Sequence, residues 1–115
     1  MEKERRTANR RKFDYYMPVV DIQTQESVGY LADISAKGFK IEGTKPIKIG
    51  TELSLRLDLT SDISSKSYII IQAKVVWSQT DPIMPNEYLH GFQIVSILPE
   101  DQIIFQQIIN RYGKA

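Results

Sequence analysis

Leu53-Ser54-Leu55-Arg56-Leu57-Asp58-Leu59 sets leucine at every second position. Side chains of an extended chain point alternately to two faces, so this spacing predicts a strand with its leucine face in a core and Ser54, Arg56 and Asp58 turned away. Downstream, residues 68–77 form a longer β-branched run containing Ile69, Ile70, Ile71, Val75 and Val76, and a loop with Pro82 and Pro85 separates it from a further strand at 88–97. Upstream, strands are expected at 18–22, 27–34 and 39–42, divided by the polar stretch 23–26 and by the turn Ser35-Ala36-Lys37-Gly38. A loop with Gly43, Pro46 and Gly50 leads back to the leucines. Six short strands at such regular spacing read as a small sandwich or barrel. Pro99 then suits the first position of a helix, with Glu100 and Asp101 in its first turn. Ile104, Ile108 and Tyr112 recur at helical spacing, with Phe105 and Ile109 beside them, so one helix face is apolar and packs on the barrel or on a partner.

A chain of 115 residues with 42% hydrophobic and 25% charged residues is the size and composition of one ordinary globular domain. No apolar run is long enough to span a bilayer, and the charged N-terminus does not read as a secretory signal, so a soluble cytoplasmic protein is expected. There is no cysteine and a single histidine, His90, which removes disulfides, thiolate metal sites and cysteine nucleophiles. His90 lacks a second histidine at ligand spacing and reads as a surface or hydrogen-bonded strand residue. No nucleophile elbow, phosphate loop or acid–base pair is present, so an enzyme is not expected, nor a metal or cofactor.

The net charge of +1 conceals an asymmetry. The first twelve residues hold Lys3, Arg5, Arg6, Arg10, Arg11 and Lys12 against Glu2 and Glu4, a net +4, whereas the other 103 residues sum to −3. Residues 1–14 lack apolar periodicity and read as a basic arm that a ligand would order, attached to a barrel-and-helix domain at 15–115. A basic arm on a mildly acidic body suits an anion of limited size better than a long nucleic acid. Arginine forks donate paired hydrogen bonds to phosphate oxygens or to guanine O6 and N7, and their planes stack on rings. A solvated basic tail is the plain alternative. Asp33-Ile34-Ser35-Ala36-Lys37-Gly38 adds a strand-to-strand turn whose Asp and Ser offer polar groups and whose Gly permits close approach or positive φ; the same residues also serve simply to build a turn. Trp77, at the end of an apolar strand, reads as core or barrel-end packing in preference to ligand stacking. Tyr15 and Tyr16 read as anchors of the arm in preference to stacking groups.

Taken in order, these elements resemble the PilZ domain family, bacterial receptors of cyclic di-GMP. The resemblance rests on R-x-x-x-R as Arg6 to Arg10, preceded by Arg5, and on D-x-S-x-x-G as Asp33, Ser35 and Gly38. It rests also on Ala73-Lys74-Val75-Val76-Trp77 and on His90-Gly91-Phe92-Gln93-Ile94-Val95. It implies a six-stranded antiparallel split, Greek-key-like β-barrel with a C-terminal α-helix, no catalysis, and an N-terminal arm that wraps the nucleotide. Carried over, Arg6 and Arg10 contact guanine and phosphate, Asp33 and Ser35 hydrogen-bond the ligand, and Gly38 leaves room beside them. Arg5 suggests an intercalated ligand pair, two molecules per chain, and Arg11 is a further candidate contact, because the run Arg10-Arg11-Lys12 lets either Arg10 or Arg11 take the second motif role. The implied output is motility, adhesion, biofilm or exopolysaccharide control through a protein partner. The competing readings are a PilZ-like adaptor that binds no nucleotide and a small-barrel nucleic-acid binder.

Overall fold

The computed structural model describes residues 17–59 and 63–112. The leucine alternation forms β4 (Glu52–Asp58), with Leu55 and Leu57 fully buried. Before it come β1 (Pro18–Asp21), β2 (Ser27–Ile34) and β3 (Gly38–Gly43), and after it β5 (Tyr68–Thr80), β6 (Tyr88–Ile97) and the helix α1 (Pro99–Tyr112). β5 buries every second residue from Ile69 through Val75, so its period-2 pattern holds as long as its side chains meet the same core.

The strands close into an antiparallel barrel in the order β1-β2-β3-β6-β5-β4. Two three-strand meanders, β1-β2-β3 and β4-β5-β6, are sealed along the β3–β6 and β1–β4 seams, so no sheet edge is left open. Register shifts lie in β1–β2, β2–β3 and twice in β5–β6. Such bulges sharpen local twist, which a sheet of only six strands needs in order to close.

Several strand ends differ from expectation by one to three residues. β1 stops at Asp21 rather than at residue 22, because Asp21 organises the turn: its carboxylate accepts the Gln23 N–H and its carbonyl the Gln25 N–H, with Gln25 at φ 64°. β3 begins one residue earlier, at Gly38, which already pairs with Gln93. β5 runs past Trp77 to Thr80 because its pairing with β6 continues to Tyr88.

α1 packs on its own barrel. Phe105 and Ile108 enter the core, and Phe105 meets Phe39 edge-on at 6.3 Å between ring centroids. Asp101 is 2% exposed; its carboxylate takes Lys66 Nζ at 2.5 Å and the Ile70 N–H at 3.2 Å, just beyond the point where β5–β6 pairing begins at Ile71. No helix among the described residues is long and apolar enough to cross a membrane. The arm expected at 1–14 and the tyrosines at 15 and 16 lie outside the described residues.

Candidate functional site

Two bulges make the site by turning side chains outward. On β2, Leu31 pairs with Ile41 on the core side, and the extra residue Ala32 lets Asp33, instead of Ala32, pair with Lys40 on the outer face. On β5, Val75 pairs with Phe92 in the core, and the extra residue Val76 brings Trp77 opposite Gly91 on the outer face. Without those insertions strict alternation would aim both Asp33 and Trp77 into the barrel. As β3 and β6 pair Lys40 with Gly91, one continuous outer row runs Asp33, Lys40, Gly91, Trp77 across four strands.

The row is closely fitted. Gly91 has no side chain because a Cβ there would lie 2.1 Å from Trp77 Nε1, so the indole rests against the β6 backbone. Lys40 Nζ sits 5.8 Å from the Trp77 ring centroid and 3.9 Å from Asp33 Oδ2, while Asp33 Oδ1 accepts the Ile34 N–H at 2.8 Å. Ser35 closes the turn, donating from its N–H at 2.8 Å and its hydroxyl at 3.3 Å to the Gly38 carbonyl. Asp33, Ser35, Gly38, Lys40, Gly91 and Trp77 all border one open cleft of ≈ 410 Å³, with Lys37 and Gln93 at its polar margin.

The structure thus brings together the three candidates Asp33, Ser35 and Gly38, while Arg5, Arg6, Arg10 and Arg11 lie outside the described residues. Of the two reasons expected for Gly38, close approach and positive φ, the structure shows the first, and the approaching group is a strand. A Cβ there would stand 2.1 Å from the Phe92 carbonyl oxygen, so its bareness admits the neighbouring strand, and it is not among the positive-φ residues. Two cleft residues escaped the sequence reading. Trp77, expected to pack in the core or at the barrel end, is half-buried on the cleft wall, and Lys40 carried no motif. The available signal was the glycine beside His90, since a bare position within a strand often marks close approach by another group.

His90 is a buried, hydrogen-bonded strand residue. It stacks on Tyr88 and meets Phe92 edge-on on the inner face, and its Nε2 accepts the Ile47 N–H at 3.0 Å, which places the proton of the neutral ring on Nδ1. Burial lowers its pKa. Among the described residues no group of three or more His, Asp or Glu side chains is placed to hold a metal.

The described chain is thus a six-stranded closed barrel with a C-terminal helix and an open outer cleft walled in part by Trp77. The chain belongs to the PilZ domain family, whose model matches residues 4–111. Among solved structures it is similar to the Bacillus subtilis inhibitor of motility, MotI/DgrA, at 22% identity and TM-score 0.68, over 85% of this chain and 47% of that one. The chain therefore spans about half the length of that structure. It is also similar to the PilZ domain of YcgR from Escherichia coli, a structure with c-di-GMP, at 14% identity and TM-score 0.58, over 84% of this chain and 80% of that one. At such identities the likeness is one of fold. No curated protein matches the chain.

Proposed function

We propose that this protein is a regulatory receptor for cyclic di-GMP, held between the N-terminal arginines and the cleft of Asp33, Ser35 and Trp77. The observation that carries the reading is the outward aim of Asp33 and Trp77 into one cleft. A carboxylate accepts the paired N–H groups of a guanine edge, and an indole face stacks on a purine. Membership of the PilZ family supports the choice of nucleotide, as does the c-di-GMP bound by the YcgR domain.

Chain direction favours delivery of the arginines to this cleft. β1 runs antiparallel to β2, with Pro18 opposite Tyr30 and the Met17 carbonyl accepting the Leu31 N–H, so Met17 lies at the end of the β1–β2 pair nearer to Asp33. From Leu31 to Ser35 a strand advances about 14 Å. Arg10, seven residues before Met17, reaches about 23 Å when extended. Arg6 and Arg10 then contact guanine and phosphate, Arg11 is a further contact, and Arg5 favours a second, intercalated nucleotide.

Micromolar binding requires about 8 kcal/mol net, and ordering a segment costs about 2–5 kcal/mol of the gross interaction. Several arginines must therefore act together. With one bidentate arginine–guanine contact worth about 1–3 kcal/mol, Arg10→Ala is expected to weaken binding about tenfold or more in calorimetric titration. Equal, tight binding by both proteins would remove Arg10 from the site. The molar ratio at the inflection of the same titration gives one or two nucleotides per chain. A wild type that binds none would leave the barrel as a protein adaptor. The bound arm is the surface that a downstream partner in motility or exopolysaccharide control would read, with no catalysis by this chain.

A further inference from the structure

The middle of the outer row contains a cation that occupies what a purine would need. Lys40 Nζ stands between Asp33 Oδ2 at 3.9 Å and the Trp77 ring at 5.8 Å. Its side chain is 46% exposed, and neither contact is strong: the ion pair is long and wet, and the ammonium lies near the outer limit for attraction to a ring. A base stacking on Trp77 and bonding Asp33 must displace this ammonium. The displaced charge remains tethered beside the cleft on a flexible four-carbon stem, and a compact ammonium is well suited to a phosphate oxygen.

We propose that Lys40 covers the Trp77 face in the free protein and moves onto the phosphodiester of the bound nucleotide, making it an affinity-setting residue. This rests on the receptor reading given above and adds to it a residue outside both sequence motifs. The ligand trades places with the lysine: the base takes over Asp33 and the indole, and the cation released from them neutralises the ligand's charge. Lys40 thereby favours phosphorylated guanine compounds over uncharged ones in the same cleft.

Trp77 is the only tryptophan in the chain, so its emission reports on this cleft alone. In the free protein, Lys40→Met is expected to reduce quenching of Trp77 by the anion iodide while leaving quenching by neutral acrylamide equal or greater. In titrations with cyclic di-GMP, K40M is expected to bind about three- to tenfold more weakly at low salt, the gap narrowing as salt rises, with K40R retaining most of the affinity. Two results would overturn the role of Lys40: unchanged iodide quenching in K40M, or wild-type affinity and salt dependence. A weakening that K40R shares in full and that salt does not alter would also overturn it, by pointing to the shape of the cleft. If the wild type itself gives no response to cyclic di-GMP in fluorescence or calorimetry, the receptor reading fails first and this one with it.

Discussion

Gly38 and Gly91 border the same cleft, yet an added methyl group meets different matter at the two. At Gly38 it meets the Phe92 carbonyl, fixed in the β3–β6 seam; at Gly91 it meets the Trp77 indole, which can swing outward. Gly38→Ala is therefore expected to cost about 1–3 kcal/mol or more in urea denaturation, whereas Gly91→Ala costs less and instead shifts Trp77 emission. His90 gives a second prediction. Burial lowers its pKa in the fold, so between that value and the ordinary 6.5 the unfolded chain binds more protons. Stability is then complete above about pH 6.5 and declines as pH falls through the window below it, where protonation also removes the acceptor of the Ile47 N–H. With only one histidine in the chain, denaturant melts between pH 5.5 and 7.5 isolate this slope, and His90→Phe should flatten it. The sequence indicated a surface or hydrogen-bonded strand histidine; that it is fully buried, with Ile47, 43 residues away, as its partner, depended on the loop folding back over the barrel.

At the scale of the element, α1 is joined to the barrel by apolar and polar contacts on one face. Phe105 and Ile108 were legible as part of an apolar stripe, but the stripe alone left open whether it faced this barrel or a partner. Asp101 appeared only as an acidic residue suited to a helix N-terminus. In the fold it also satisfies the Ile70 N–H where the β6 ladder has not yet begun. Asp101→Ala leaves that part-buried donor and Lys66 without their acceptor and is expected to lower stability by about 1–2 kcal/mol, seen as a fall in the urea midpoint with an unchanged slope. A loss confined to helix fraying, with the barrel midpoint unmoved, would contradict this anchoring. The strands illustrate the same division: their existence followed from periodicity, whereas their ends followed from partners, as in β5 continuing to Thr80 because Tyr88 is opposite.

For the whole molecule, closure depends on two seams, β3–β6 and β1–β4, that join segments distant in sequence. Loops must close before these pairings contribute, so folding is expected in about milliseconds to seconds, slower than for a helical bundle of this size. Stopped-flow Trp77 fluorescence measures it, and microsecond folding would contradict this account of the seams. By itself the sequence determined a β domain of six short strands with an apolar C-terminal helix, because alternation and turn chemistry act between near neighbours. It also carried the motif at Asp33, Ser35 and Gly38, whose residues do line one cleft. Only the tertiary structure decided that Asp33 and Trp77 face outward, that Lys40 lies between them, and that Gly38 is bare for the sake of β6. The physical reason is the bulge: one extra residue in a strand exchanges inside for outside, and its presence depends on the register of the neighbouring strand rather than on the local run of side chains.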